Sequence, residues 1–170
     1  MSKAFVREDD DGPERPAFRP SSPALPPGAR NYLTRDGQRR LSEELEQLIR
    51  VERPRLEALR EDDTAQRDLH VVKQRILRLE ESLRTAVVVP VSSAANHHVQ
   101  FGATVTVRQR SGEETRYRIV GVDEADADRG WVSWLSPVAK ALLNAKLGQR
   151  VRFKVPSGDE ELEVLDICYD

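Results

Sequence analysis

The chain has 170 residues, enough for one or two small domains that each bury a hydrophobic core. Its 27 lysines and arginines are balanced by 29 aspartates and glutamates, so the formal net charge is -2. This balance excludes a protein that coats nucleic acid with its whole surface, because such binding needs an excess of positive charge. The single cysteine, Cys168, excludes an intrachain disulfide and is typical of a reducing compartment.

The N-terminal segment differs in composition from the rest. Residues 1–31 hold six of the ten prolines and have no continuous apolar face, so they are predicted to form a disordered, acidic, proline-rich tail. No stretch approaches the roughly 18 apolar residues of a membrane-spanning helix, and the N-terminus lacks the apolar region of a signal peptide. We therefore expect a cytoplasmic monomer without a membrane partner.

Residues 32–88 have the periodicity of two helices. Thr34 is predicted to cap the first helix, and Pro54 is expected to remove one backbone hydrogen bond and bend it. Apolar residues follow at steps of three and four in both segments: Leu41, Leu45, Leu48, Leu56 and Leu59, then Leu69, Val72, Ile76, Leu79, Leu83 and Ala86. Because only a few residues separate the segments, they are predicted to form an antiparallel coiled-coil hairpin.

Residues 100–170, after a linker at 89–99, have the alternation typical of strands. Two strands are predicted around the turn Ser111-Gly112, one in the segment "GWVSWL", and two around Pro156 to Gly158. The segment "SPVAKALLNAK" is predicted to be a short helix, with Ser136 as its N-cap and Pro137 in its first turn. The fold class is therefore α+β, with a helical hairpin followed by a small antiparallel sheet that carries one short helix.

The motifs of common enzyme classes are missing, and the densest chemical feature is acidic. The sequence contains no P-loop, no G-x-S-x-G, no G-x-G-x-x-G and no H-E-x-x-H. The turn between the two helices reads "REDDTAQRD", and it holds four carboxylates: Glu61, Asp62, Asp63 and Asp68. One reading is a solvated turn. The other is a rod that delivers carboxylates to Mg²⁺ in a site elsewhere, since Mg²⁺ is commonly bound through one or two carboxylates plus water and phosphate.

Several stretches between Tyr32 and Tyr169 resemble the GreA/GreB transcription elongation factors. They are "LTRDGQRRLSEELEQL", "ERP" at 52–54, "FGATVTV" at 101–107, "YRIVGVDEAD" at 117–126 and "SPVAKALLNAKLGQRV" at 136–151. The "ERP" stretch and the strand at 117–126 are more similar to the GreB branch. The resemblance implies a coiled-coil hairpin followed by an FKBP-like C-terminal domain. It also implies that the C-terminal domain docks on bacterial RNA polymerase at the rim of the secondary channel, while the hairpin enters the channel.

The resemblance also implies roles for particular residues. Asp62 and Asp63 are identified as tip carboxylates that share Mg²⁺ of the polymerase and assist cleavage of backtracked RNA, with Glu61 and Asp68 as further candidates. The factor would then have no cofactor of its own and no turnover without the polymerase, and it would meet nascent RNA and DNA only through the elongation complex. The candidate RNA contacts are Arg35, Arg39 and Arg40, for which pairing with acids on the same helix is the alternative. The candidate polymerase-binding residues are Ser136, Pro137, Ala139, Leu142, Asp123 and Asp126.

The tip departs from the family pattern G-D-x-x-E-N-A-[DE]-Y. Aligning Asp68 with the acid near the end of that pattern places Asp62 on its aspartate and Ala65 on its glutamate. The hairpin is also about six residues shorter than the family's, close to one helical turn when shared between two helices. Two functions therefore stay open: stimulation of transcript cleavage, or inhibition or modulation of the polymerase from the same channel without cleavage. A remote third is an FKBP-type peptidyl-prolyl isomerase, whose aromatic-lined sites fit poorly with a chain that is 5% aromatic.

Overall fold

The structure is a computed structural model that describes residues 25–59, 61–90, 97–156 and 158–169. Residues 1–24 of the predicted tail at 1–31 lie outside the described residues. So do residues 91–96 of the predicted linker at 89–99. Within the described ranges, no helix is both long and apolar enough to cross a membrane. Two units follow in chain order, a helical hairpin and a β-sheet with one α-helix, which confirms the α+β class.

The hairpin has two helical arms. The first arm runs through α1 (Arg35–Gln47), a π-helical segment (Leu48–Glu52) and α2 (Arg53–Ala58), and the second arm is α3 (Asp63–Thr85). Thr34 caps α1 as predicted, because its side chain accepts a hydrogen bond of 2.9 Å from the backbone N–H of Gly37. At 1.5 Å per residue each arm is about 35 Å long, so the turn at its end lies far from the rest of the chain.

A change of helix type precedes Pro54. The N–H of Arg53 donates to the carbonyl of Leu48, five residues back, which is the wider turn of a π-helix. Pro54 then lies in the first turn of α2, where a missing N–H is tolerated. The sequence predicts a bend at this proline, and the structure places a π-helical segment in front of it.

The apolar stripes of the two arms face each other for most of their length. The seam residues that are at most 7% exposed are Leu41, Leu56, Leu69, Ile76 and Leu79. Two predicted seam residues differ: Leu59 is 47% exposed at the end of the first arm, and Ala86 lies beyond α3 in a strand. The periodicity fails at both places because the helix has ended there.

Two short strands join the ends of the hairpin. β1 (Asn31–Leu33) precedes α1, β2 (Ala86–Val88) follows α3, and the two pair in parallel. Leu33 of β1 is fully buried and packs with Leu41 and Leu79. The sequence predicts neither strand, since three residues are too few to display an alternating pattern.

The second unit is a five-stranded sheet. Its strands are β3 (Thr104–Gln109), β4 (Glu114–Val120), β5 (Trp131–Ser133), β6 (Arg150–Val155) and β7 (Gly158–Cys168), in the spatial order β5-β4-β3-β7-β6. All pairs are antiparallel except β4 with β5, which run parallel. The sheet is therefore mixed and differs from the predicted antiparallel sheet at one edge. The cause is a ten-residue connection with two 3-10 turns (Val122–Glu124 and Ala127–Arg129), which returns the chain in the same direction.

The core of this unit lies between the sheet and α4 (Pro137–Leu142). Ser136 caps α4 as predicted, because its hydroxyl accepts a hydrogen bond of 3.2 Å from the N–H of Ala139. The buried side chains of this core come from every strand but β5, from the helix and from the loops beside them: Val105, Val107, Ile119, Val151, Leu162, Val164, Ala139, Leu142, Val99, Ala103 and Ala145.

Leu79 and Leu77 offer a matched test of how the arms pack. Leu79 is 1% exposed and Leu77 is 59% exposed on the same helix. We expect Leu79→Ala to lower the free energy of unfolding by about 2–5 kcal/mol, because it leaves a cavity in the seam. Leu77→Ala should change it by about 0.5 kcal/mol or less. Urea unfolding followed by circular dichroism measures both, and equal losses would contradict the packing of α3 described here.

Candidate functional site

The acidic turn between the arms is held by the backbone and by one aspartate. The N–H of Leu59 donates to the carbonyl of Leu56 at 3.1 Å, and the N–H of Asp62 donates to the carbonyl of Leu59 at 3.2 Å. Asp62 caps α3, since its Oδ1 accepts a hydrogen bond of 2.8 Å from the N–H of Thr64. Asp62 and Asp63 thus lie at the N-terminal end of a 23-residue helix, where the helix dipole favours negative charge.

All four predicted tip carboxylates, those of Glu61, Asp62, Asp63 and Asp68, are exposed. In the part of the chain that the structure describes, which excludes Arg60, no ion pair joins any of them to a cation. Among the described residues, the tip carboxylates therefore remain open to a cation from outside the chain. Beneath it lie the buried side chains of Leu56, Ala65 and Leu69, which form a small apolar cluster of their own.

The tip by itself lacks the ligands of a complete metal site. Among the residues that the structure describes, no three histidine, cysteine, aspartate or glutamate side chains converge as a set of metal ligands. The donors at the tip are hard carboxylate oxygens, which suit Mg²⁺, and Mg²⁺ commonly takes one or two protein carboxylates and fills its remaining positions from water and phosphate. Asp62 and Asp63 fit the role of those one or two carboxylates, with the remaining ligands supplied from outside this chain.

The predicted RNA contacts divide into two kinds. Arg35 is exposed, and Arg39 is exposed and pairs with Asp36 at 3.2 Å. Arg40 instead points to the second unit, where its guanidinium lies 4.3 Å from the ring centroid of Trp131. All three lie on α1 next to the C-terminal unit, at the opposite end of the arm from the acidic tip.

The predicted polymerase-binding residues also divide. Pro137 is exposed and Ser136 is half-buried, whereas Ala139 and Leu142 are completely buried in the core beneath α4 and offer no surface to a partner. Their assignment fails because the short helix turns its most regular apolar positions inward.

The two predicted aspartates bind within the chain. Asp123 accepts a hydrogen bond of 2.5 Å from the hydroxyl of Ser82, and it pairs with Arg78 at 3.4 Å. Asp126 caps a 3-10 turn by accepting from the N–H of Asp128, and it pairs with Arg129 at 3.3 Å. Asp123 therefore joins the second unit to the hairpin.

One functional candidate lies outside the predicted set. Glu124 is only 4% exposed, and it lies between the hairpin and the sheet. In the sequence Glu124 is one of four acids between 123 and 128. The signal that sets it apart from the other three is its position three residues after Gly121.

Neither tryptophan forms an open aromatic-lined pocket. Trp131 is faced by the guanidiniums of Arg40, Arg118 and Arg129 at 4.3–5.4 Å from its centroid. Trp134 packs edge-on against Tyr32 with a centroid distance of 5.3 Å. The remote isomerase hypothesis gains no support from these contacts.

Comparisons with known proteins agree on one family. Residues 94–169 match the family model for the C-terminal part of transcription elongation factors GreA/GreB. A GreA of Pelobacter propionicus is 41% identical over 152 residues, which cover 81% of this chain and 96% of that protein. A GreB of Neisseria meningitidis is 36% identical over 154 residues, which cover 82% and 94%. Among solved structures, Gfh1 of Thermus aquaticus is similar at 28% identity with a TM-score of 0.40, covering 82% of this chain and 99% of that one.

The cap and the charge of Asp62 are separable by substitution. Asp62→Ala removes the acceptor for the Thr64 N–H and should cost about 1 kcal/mol of stability. Asp62→Asn keeps a cap of equal rank and should change stability by a few tenths of a kcal/mol. Thermal unfolding of the two variants measures the difference. Equal losses would contradict a capping role.

Proposed function

Since the chain belongs to the GreA/GreB family of transcription elongation factors, we propose that it binds bacterial RNA polymerase at the secondary channel and stimulates cleavage of backtracked transcripts. The observation that carries the proposal is the placement of the acids. Exposed carboxylates, unpaired within the described residues, stand at the end of a rod about 35 Å long. A rod of that length reaches a site deep inside a partner while the C-terminal unit stays at the surface.

Asp62 and Asp63 are the proposed metal ligands. When bound beside them, Mg²⁺ of the polymerase would supply Lewis-acid chemistry at the scissile phosphate. Asp62 is exposed and is held by its bond to the Thr64 N–H, which uses Oδ1. Adjacent carboxylates at a helix N-terminus add negative charge where a cation must be retained.

The other two acids have different proposed roles. Asp68 lies six residues after Asp62, about 9 Å further along the axis of α3 and on another face of the helix. Since a Mg²⁺ ligand lies at about 2 Å, Asp68 does not share one ion with Asp62. Its proposed role is to assist from outside the coordination shell, as is that of Glu61, which directly precedes Asp62 and Asp63.

The partner and location follow from the same proposal. The factor acts in the cytoplasm on the polymerase, contacts nascent RNA and DNA only within the elongation complex, and has no turnover alone. For docking, the exposed part of the predicted surface is Pro137 with the half-buried Ser136 beside it. Ala139 and Leu142 support that surface from below.

A second function is favoured by one residue. Ala65, which aligns with the glutamate of the family pattern, has no carboxylate and is buried beneath the tip at 4% exposure. The position is therefore closed both chemically and sterically to metal binding. A factor of this shape that occupies the channel without completing the metal site would slow nucleotide addition instead of stimulating cleavage.

The test compares the wild type with Asp62→Asn/Asp63→Asn, which keeps the cap and removes both charges. A backtracked elongation complex of the cognate polymerase with Mg²⁺ is followed for release of 3′ dinucleotides. We expect the wild type to accelerate release and the variant to lose at least about 10-fold of that acceleration, as for the loss of groups that support a metal site.

The matched control is Asp159→Asn/Glu160→Gln, an adjacent exposed acidic pair in the C-terminal unit. It should leave the acceleration intact. If the wild type leaves release unchanged and slows nucleotide addition, cleavage is not its function and the second function replaces it.

A further inference from the structure

We infer that Glu124 is a positioning residue that fixes the direction of the hairpin relative to the C-terminal unit, and with it the place of the acidic tip. Its consequence for transcription rests on the proposed function. Its structural part, the fixed direction of the hairpin, is independent of any partner. We call Glu124 with Thr34, Gly37 and Gly121 the junction.

Both carboxylate oxygens of Glu124 are satisfied by donors from two units. Oε2 accepts from the backbone N–H of Thr34 at 2.8 Å and from that of Gly121 at 3.0 Å. Oε1 accepts from the hydroxyl of Thr34 at 2.5 Å and lies 3.7 Å from the guanidinium of Arg40. Gly121 belongs to the sheet unit, whereas Thr34 and Arg40 belong to the hairpin. A single side chain therefore connects the first turn of α1 to the loop after β4.

The Thr34 hydroxyl makes the connection directional. It donates its single hydrogen to Glu124 and accepts from the N–H of Gly37. The two bonds together fix the orientation of the hydroxyl. The same contact that caps α1 thus binds the helix end to the second unit. A rotation of α1 together with its cap residue Thr34 would break the bonds to the carboxylate.

Two glycines allow the close approach. A Cβ on Gly37 would overlap the Glu124 carboxylate, and a Cβ on Gly121 would overlap the backbone carbonyl of Tyr32 and lie 2.8 Å from Glu124 Oε2. Neither glycine has the positive φ that would by itself require glycine. Glycine is needed at both positions because a side chain would occupy the space of the Glu124 carboxylate or of the adjoining strand β1.

Weaker contacts surround the junction. Tyr32 packs against Phe101 and Trp134 with centroid distances of 6.0 and 5.3 Å, and Arg40 covers Trp131. Burial lowers the pKa of Arg40, and Glu124 opposes this change. These contacts add area, and polar contacts of Asp123 with Ser82 and Arg78 and of Arg118 with Asp36 also join the units. Of these groups, Glu124 is the buried carboxylate with both oxygens occupied.

The length of the hairpin magnifies any change at its base. At about 35 Å from the junction, a rotation of roughly 5° moves the tip by about 3 Å. A Mg²⁺ ligand must lie at about 2 Å, so a displacement of that size removes the tip from the coordination shell. A rigid base is therefore a condition for a tip that acts at a metal.

The experiment uses two changes at the junction and one control in the full-length chain. Glu124→Gln keeps the volume but leaves a single acceptor oxygen, so its NH2 faces either the two backbone N–H groups of Thr34 and Gly121 or the Thr34 hydroxyl and the Arg40 guanidinium. Gly37→Ala keeps the carboxylate but places a methyl group in the space that it occupies. It therefore tests the same contact by a second route in case Glu124→Gln lowers the stability of the fold. The control is Glu161→Gln, which removes a carboxylate paired with Arg152 on the sheet, away from the hairpin.

The first readout is the distance between spin labels near the tip and on the sheet. Labels are attached through Arg67→Cys and Lys154→Cys, both at exposed positions, with Cys168→Ser to remove the native thiol. We expect one narrow distance distribution for the unchanged junction and for Glu161→Gln. Both junction variants should broaden and shift the distribution by several Å. Distributions that match the parent in both variants overturn the inference.

The second readout separates binding from action on the polymerase. We expect the junction variants to reduce the maximal acceleration of dinucleotide release by about 10²-fold, the order of loss for a misplacement of about 1 Å. The concentration for half-maximal effect should stay within about 2-fold, because the docking surface is unchanged. A broadened distribution with an unchanged maximal rate overturns the positioning role. If the wild type has no effect on the polymerase, the proposed function fails, and the label distances alone decide whether Glu124 fixes the hairpin.

Discussion

The structure depends on a buried carboxylate whose partners come from both units. Removing a charged group from water costs several kcal/mol unless its oxygens are met by donors. For Glu124 these donors are Gly121 on one side and Thr34 on the other, so neither unit satisfies the group alone. These bonds hold the hairpin and the sheet in contact with each other. Together with the Asp123–Ser82 bond, this contact relates the exposed acids at the far end to the sheet.

Local patterns in the sequence were sufficient for much of the fold. The spacing of leucines predicts the two arms, and the caps at Thr34 and Ser136 are where the structure has them. Contacts between distant residues were harder. β1 and β2 are three residues each and meet only because the hairpin brings its ends together. The parallel direction of β5 depends on how the chain crosses after β4, which no local pattern specifies.

The candidate site was predictable to the extent that it is local. Three of the tip acids, Glu61, Asp62 and Asp63, are consecutive in the sequence, and their exposure follows from their place at a turn. The capping role of Asp62 follows from its place before α3. Glu124 escaped notice because its neighbours Asp123, Asp126 and Asp128 give the segment the composition of a solvated loop. Burial distinguishes it, and burial is a property of the assembled units. Ala139 and Leu142 are the reverse case, because they were predicted to lie on a binding surface and are buried in the core.

The apolar seam of the hairpin is divided into two clusters, and their inequality has a dynamic consequence. Near the sheet, Leu33, Leu41 and Leu79 pack together with the paired strands, whereas the cluster beneath the turn consists of Leu56, Leu69 and the small Ala65. Local opening costs least where buried apolar contacts are fewest. The last turns of the arms should therefore open and exchange their amide hydrogens with solvent while the base stays closed. Hydrogen exchange should therefore begin at the turn and reach the base of the hairpin last.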